Sequence, residues 1–351
     1  MELTVRGWLI GASAHGVGWD TLWAVELTWT NKDKGLLSLE DGGYEWVEPG
    51  DPRTLPGGGF QLARSIGEVT GEVPGNLLIN ASCLSALRAL GEVSPYKESF
   101  AGKVKLIYLD PPFNASGGGA DYPDLVSHEM WLSLFRETML ASKPLLHPEG
   151  SIWVHLDDIE QHRARVIMDE VYGEEAFVAT LIWENFWKVH AHHALSRTHN
   201  YIHIYAPAGE KRWAGVRNLL ENPGSEGDLL PRTRWRSMDV GNFSEAKAEA
   251  GELFPGEETF STPKPERLLA RIIHIATNPG DIVIDPYSGS GTTAAVAHKM
   301  GRAWVTIDRE RRTIESYTLP RLEKVVSGED QGGVSKELGW AGGGSFSYVV
   351  G

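Results

Sequence analysis

From Asn76 onward the chain alternates short apolar runs with amphipathic stretches. That rhythm constrains the fold more than any other feature of its 351 residues. Leu77-Leu78-Ile79 predicts a strand, and residues 84–90 predict a helix. Val104-Lys105-Leu106-Ile107-Tyr108-Leu109 predicts a buried strand ending at Asp110. A helix is expected over 128–140, with Trp131, Phe135 and Met139 on one stripe. A strand over 151–155 and a helix over 157–171 follow, the helix stopping at Gly173. Later come a helix over 265–277, a turn at Pro279-Gly280-Asp281 and the strand Ile282-Val283-Ile284. A helix over 292–300, a strand over 304–307 and one more helix complete the series. Such alternation predicts an α/β fold with a doubly wound, mostly parallel sheet.

Two regions break the rhythm. Residues 1–75 are rich in Gly, Trp and turn signals, and read as short strands and loops. Between about 184 and 260 the pattern fails, and five histidines, several tryptophans and the basic cluster Arg232-Thr233-Arg234-Trp235-Arg236 appear. The expected organisation is an N-terminal extension (1–75), a first α/β half (76–184), an insert (185–260), a second α/β half (261–327) and a Gly-rich tail with a final strand (328–351). Cys83 is the single cysteine, which excludes an internal disulfide or a cysteine-rich zinc site and fits a reducing cytoplasm. Neither a signal peptide nor a membrane span is expected. The net charge of −14 argues against indiscriminate nucleic-acid binding but leaves room for a local basic patch. Most of the 13 tryptophans are expected in the core.

Two motifs carry chemistry. The first is Asp110-Pro111-Pro112-Phe113-Asn114, directly after a buried strand, where parallel sheets place their working loops. A carboxylate beside the fixed Pro111 carbonyl offers two acceptors to an amino group, and Phe113 offers a flat face to a heteroaromatic ring. That set suits an exocyclic amine on a base rotated out of its duplex. A stiff Pro-Pro turn whose Asp accepts backbone N–H groups accounts for the motif equally well on its own. The second motif is Asp285-Pro286-Tyr287-Ser288-Gly289-Ser290-Gly291-Thr292-Thr293, between a strand and a helix. Its glycines let backbone approach a ligand closely. Thr292 stands where a phosphate-binding loop would need Lys. Gly289-x-Gly291-x-x-Ala294, with Asp308 ending the next strand, also fits a dinucleotide fingerprint. Alone, this motif points to a nucleoside-type cofactor of open identity.

Together, and in this order, the motifs resemble the β-class adenine-specific DNA methyltransferases. The likeness is greatest to the modification subunits of type III restriction systems and their solitary relatives. It runs through Leu27-Thr-Trp29-Thr-Asn31-Lys32, Asn76-Leu-Leu-Ile79 and the Asp110 motif. It continues in Tyr122-Pro-Asp124, Gly150-Ser-Ile-Trp-Val-His-Leu-Asp157-Asp158, Met168-Asp-Glu-Val-Tyr172-Gly173, Val240-Gly241 and Thr262-Pro-Lys264-Pro265-Glu266, and ends in the Asp285 motif. The resemblance implies a Rossmann-like methyltransferase sheet whose insert reads the target. It implies S-adenosyl-L-methionine as cofactor, double-stranded DNA as substrate, and methyl transfer to adenine N6. A homodimer and a restriction subunit are the further partners it implies. Asp110, Pro111, Pro112 and Phe113 would hold the target base. Asp285, Tyr287, Gly289, Gly291 and Thr292 would line the cofactor pocket, Lys264 and Pro265 would lie across its methionine end, and Asp308 would accept from the ribose. Tyr287 replaces the usual Phe. Ala115-Ser116 stands where Thr-Gly is usual. Ser82 replaces an acid, at a position expected beside the strand that ends at Asp110.

Arg232, Arg234, Trp235 and Arg236 are expected to contact DNA, since aromatic and Arg side chains alternate there. His190, His192, His193, His199 and His203 lack a thiolate or carboxylate at ligand spacing, so they are assigned to surface or phosphate contacts and not to a metal. Cytosine-N4 methylation is the alternative within the same chemistry. A nicotinamide oxidoreductase would leave the Asp110 motif idle, and a non-catalytic DNA-binding subunit is the third reading.

Overall fold

The computed structural model describes residues 2–7, 23–39, 42–114, 126–185, 195–207, 211, 213–215, 230–256 and 258–351. The Gly-rich stretch 116–119, Tyr122-Pro-Asp124, Trp187, His190, His192 and His193 lie outside them. Antiparallel pairs β1 (Glu2–Gly7) with β2 (Trp23–Thr28), and β3 (Gly35–Ser38) with β4 (Tyr44–Val47), open the chain. Ten strands then form one sheet: β5 (Gln61–Ile66), β6 (Asn76–Asn80), β7 (Val104–Leu109), β8 (Leu146–Leu156), β9 (Phe177–Glu184), β10 (His199–Tyr205), β11 (Arg234–Trp235), β12 (Ile282–Asp285), β13 (Ala303–Asp308) and β14 (Phe346–Val350). Their order is β11-β9-β10-β8-β7-β12-β13-β6-β14-β5. The run from β8 to β14 is parallel throughout, while β10 and β5 pair antiparallel with their neighbours.

Alternate strand residues feed two separate cores, as the two-residue period of a strand requires. Leu77, Ile79, Ile107, Leu109, Ile152, Val154, Ile284 and Ile307 face one core. It is completed by α1 (Cys83–Glu92), α3 (His128–Ser142) and α4 (Gln161–Tyr172), with the short α2 (Tyr96–Phe100) between. Leu78, Leu106, Tyr108, Trp153, Val283 and Trp304 face the other. There α7 (Glu266–Ala276), α8 (Thr292–Lys299) and the helical stretch 311–327 pack, after the short α5 (Ser237–Val240) and α6 (Phe243–Leu253). The sheet is doubly wound, as the alternation implies. Among the described residues no helix is long and apolar enough to cross a membrane.

Three boundaries differ from the sequence reading. The N-terminal region is not separate from the sheet, because β5 is its edge strand. The Trp29 indole also donates to Ser133 of α3 at 2.8 Å, and buried Lys32 pairs with Glu170 of α4 at 2.8 Å. Nor does position 185 mark an edge of the sheet. β10 lies between β8 and β9, so residues 199–205 belong to the core sheet. Helix α4 starts at Gln161 and not at Asp157, because Asp157 accepts the Ile159 N–H at 2.8 Å in a turn. It ends at Gly173, whose φ of 94° suits glycine.

The tail is fastened by buried charge. Glu266, 2 % exposed, accepts from Lys299 at 2.8 Å, Arg321 at 2.8 Å and the Val334 N–H at 3.0 Å. Lys299 also pairs with Asp330 at 2.8 Å. Removing one member of such a cluster strands the others without a counter-charge. Glu266→Ala should therefore cost about 3–5 kcal/mol in urea unfolding; a loss below about 1 kcal/mol, the range of exposed pairs, would show the cluster to be energetically idle.

Candidate active site

Asp110, Asp285 and Asp308 stand at the carboxyl ends of β7, β12 and β13, three neighbouring parallel strands. All three border one cleft. Strands in a sheet are about 4.8 Å apart, so topology alone gathers residues nearly two hundred positions apart in sequence.

On the β7 side the motif is held from several directions. The Pro112 carbonyl accepts the Trp131 indole N–H at 2.7 Å. Asn114 adopts φ 55°, and its amide reaches Glu160 at 3.4 Å. Buried Glu160 also meets His128 at 2.9 Å and Arg163 at 3.2 Å. Asp110 Oδ2 is ion-paired with Lys264 Nζ, while Oδ1 is buried without a hydrogen-bond partner. Burial raises the Asp110 carboxyl above its ordinary range, against the pull of Lys264. The Lys264 ammonium also lies 5.9 Å from the Phe113 ring centroid and 5.5 Å from that of Phe243.

On the other side the glycine loop crosses from β12 to α8. Gly289 donates its N–H to Asp308 at 3.0 Å, and Asp308 also accepts from the Glu310 N–H at 2.9 Å. Gly291 precedes α8 with φ 76°, and a Cβ there would stand 2.9 Å from Thr318. Only glycine fits that backbone comfortably. Asp285 accepts the Tyr287 N–H at 3.0 Å. Burial pushes its carboxyl up to about 7.

Asp110, Pro111, Pro112, Phe113, Lys264, Asp285, Tyr287, Gly289, Thr292 and Asp308 all line this cleft. Gly291 shapes the loop from behind, and Pro265 is buried next to the Gly241 backbone at the start of α7. The sequence reading missed Tyr44, Arg309 and Phe260, which also line it. Tyr44 sits on β4, outside the α/β rhythm, with the Arg309 guanidinium 5.7 Å from its ring centroid. Phe260 packs next to Gly289. Neither has a local spacing that marks it.

Three expectations are corrected. Ser82 is not beside the strand that ends at Asp110; β12 and β13 lie between β6 and β7. Its hydroxyl caps α1, accepting the Ser85 N–H at 3.1 Å, and does not border the cleft. Trp235 is 1 % exposed, with its ring 6.4 Å from that of Trp153, so it is a core residue and not a base-stacking surface. Arg232 and Arg234 are exposed, Arg234 pairing with Glu184 at 2.5 Å, and Arg236 pairs with Asp239 at 2.9 Å. His203 is also internal, 2.9 Å from Thr180 and 3.0 Å from the Gln161 carbonyl, and burial drives it down to about 4. His199 Nε2 lies 3.0 Å from the Tyr201 hydroxyl.

Residues 104–318, which include both motifs, match the family model described as DNA methylase. The chain belongs to that DNA methylase family. It is 26 % identical to the probable type III restriction-modification enzyme HindVI Mod subunit of Haemophilus influenzae, over 82 % of this chain and 56 % of that protein. It is 23 % identical to the type III restriction-modification enzyme StyLTI Mod subunit of Salmonella typhimurium, over 76 % of this chain and 54 % of that protein. The chain thus spans about half the length of these relatives. Among solved structures it resembles PvuII DNA methyltransferase (cytosine-N4-specific), with a TM-score of 0.52 and 16 % identity over 75 % of this chain and 90 % of that one. That likeness establishes a shared fold for this DNA methylase.

The raised Asp285 carboxyl has a measurable consequence. A folded-state value of about 7, above the ordinary 3.8, means that the fold favours the protonated acid. Its contribution is complete below about pH 4 and is lost as pH rises through 7. Asp285→Asn, which cannot ionise, should therefore gain stability relative to the parent protein between pH 5 and pH 8. Urea midpoints at the two pH values check this, and a difference independent of pH would refute it.

Proposed function

We propose that this DNA methylase transfers a methyl group from S-adenosyl-L-methionine to N6 of adenine in double-stranded DNA. The observation that carries the reading is the single cleft at three adjacent strand ends. One wall is the Asp110 motif and the opposite wall is the glycine loop with Asp308.

The residues present fit the cofactor. Asp308 lines the cleft at the end of β13, where a carboxylate would accept from ribose hydroxyls, and Gly289 lets a nucleoside approach the backbone closely. Lys264 and Asp285 both line the cleft and would lie at the cofactor's methionine end. When bound, S-adenosyl-L-methionine supplies a methyl already activated on a sulfonium. The protein's part is then alignment and electrostatics. Asp110 and the Pro111 carbonyl would accept the two N–H bonds of the target amine and turn its lone pair toward the methyl. Phe113 would support the ring of a base rotated out of the duplex. Asp110 would be the group placed to take up the proton that the amine loses on methylation. An Asp before Pro-Pro favours adenine, where Ser is more usual for cytosine. A homodimer and a restriction subunit remain part of the proposal, as does the target-reading role of 185–260. Within that region the exposed Arg232 and Arg234 carry the proposed phosphate contacts.

Three experiments test this. DNA methylated with isotope-labelled cofactor and digested to nucleosides should yield N6-methyladenine; label in N4-methylcytosine, or none in DNA, overturns the reading. Asp110→Ala should lower the single-turnover rate about 100–1000-fold, the usual loss for one positioned group. Cofactor affinity should stay within about twofold, because the cofactor rests on other residues. Arg232→Gln with Arg234→Gln should flatten the salt dependence of DNA binding by about one unit per lost phosphate contact. An unchanged slope would place these arginines away from DNA.

A further inference from the structure

One face of the sheet, mostly filled by apolar and aromatic side chains, is crossed by a row of buried polar side chains. Tyr108 and Asp110 come from β7 and the turn after it, His155 from β8, Asn200 from β10, and Asn185 directly follows β9. These strands are neighbours, so the row runs straight across four of them. His155 is fully buried, Tyr108 and Asn185 are each 1 % exposed, and Asn200 is 6 % exposed. The links are short. Asn185 Nδ2 donates to Asn200 Oδ1 at 2.7 Å, Asn200 Nδ2 lies 3.0 Å from His155 Nε2, and His155 Nδ1 lies 2.9 Å from the Tyr108 hydroxyl. His155 Nδ1 is also 3.7 Å from Asp110 Oδ1, the buried oxygen without a hydrogen-bond partner.

The row dictates a tautomer. Asn200 spends its carbonyl oxygen on Asn185, so it presents an N–H to His155. Nε2 must then accept, and the ring proton sits on Nδ1, on the side of Tyr108 and Asp110. Burial together with the nearby Lys264 charge holds His155 well below its ordinary range, so the ring is neutral. Trp183 and Phe113 confine it, with ring centroids at 5.3 Å and 5.7 Å. A polar row in an apolar face adds nothing that packing needs, since a matched apolar set of the same shape is commonly as stable. At its β7 end the row faces the Asp110 carboxylate.

We propose that His155 is a positioning residue for methyl transfer: with Lys264 on one oxygen and the Tyr108-bonded His155 ring 3.7 Å from the other, it holds the plane of the Asp110 carboxylate in which that group accepts the target amine. This rests on the function proposed above. The 3.7 Å separation is longer than a hydrogen bond, and catalytic contacts are often long until substrate is bound. Each carboxylate oxygen keeps a second lone pair for the amine.

The test uses His155→Leu, which removes the donor, and His155→Asn, whose amide N–H falls near the Nδ1 place. Single-turnover methyl transfer to DNA is measured at saturating cofactor across pH, alongside cofactor binding and thermal midpoints. The charged and titratable groups around the pair are Tyr108, Lys264 and Asp285, and both substitutions leave them in place. His155→Leu should slow transfer 30–100-fold with the cofactor dissociation constant within twofold. Losing a donor disfavours ionised Asp110, so the acid limb of the profile should move to higher pH. His155→Asn should recover at least one-fifth of the parent rate and the parent limb. A Leu variant at half the parent rate with an unmoved limb overturns the proposal. So does equal rate loss in both variants, tracking equal loss of thermal midpoint, since that marks a merely structural histidine. If the parent protein itself transfers no methyl to DNA, the function proposed above fails first, and this inference with it.

Discussion

Everything at the site follows from the insertion of β12 between β7 and β13. β12 pairs in parallel with both, through Ile284 to Ile107 on one side and to Val305 on the other. Hydrogen-bonded register sets the height of each strand: Asp285 lies level with Thr306, and Asp110 and Asp308 both lie two residues further along on either side of it, with no contact between their side chains needed to place them. The loops then only shape the space in between. Asp308 makes this interdependence explicit, because it terminates β13 while holding the Gly289 amide of the loop that leaves β12.

Much of this was legible from residues. Apolar runs such as 77–79, 104–109 and 282–284 marked the core strands, because each is buried on both faces and has no polar alternation to confuse the reading. The Asp110 and Asp285 motifs were legible for the same reason: both sit where a strand must turn into a loop. Partners across the sheet were not legible. Ser82 looked like a neighbour of the Asp110 strand because β6 precedes β7 in sequence, yet strand order is set by long-range pairing that leaves no local trace. Trp235 misled in a similar way. An aromatic between arginines has the composition of a nucleic-acid contact, but two-residue alternation in the short β11 turns Trp235 inward and Arg234 outward. Tyr44, lying on a small separate sheet, was beyond any periodicity argument.

The Lys264–Asp110 pair gives the cleft an internal balance of charge. Either group alone in this enclosed space would be costly to keep ionised. Together they present a near-neutral wall to a neutral aromatic base, while the single open Asp110 oxygen retains directional character. Phe113 and Phe243 flank the same ammonium, which places its charge over aromatic faces and away from bulk water.

The placement of β6 also bears on how the protein is made. Its two sheet neighbours, β13 and β14, are both synthesised long after it; the contact from Asn80 to Asp308 spans 228 residues, and that from Asn76 to Ser345 spans 269. At a ribosomal pace of about 5–20 residues per second, β6 waits roughly 10–50 s with both edges unpaired. During that interval its central Leu77-Leu78-Ile79 is an uncharged β-forming segment without its sheet partners, and α1, which follows directly, packs in the same core as Leu77 and Ile79. The same permuted order that gathers the three carboxylates therefore makes the nascent chain dependent on timely completion of its second half, and places its greatest exposure to misassociation before residue 303 has emerged.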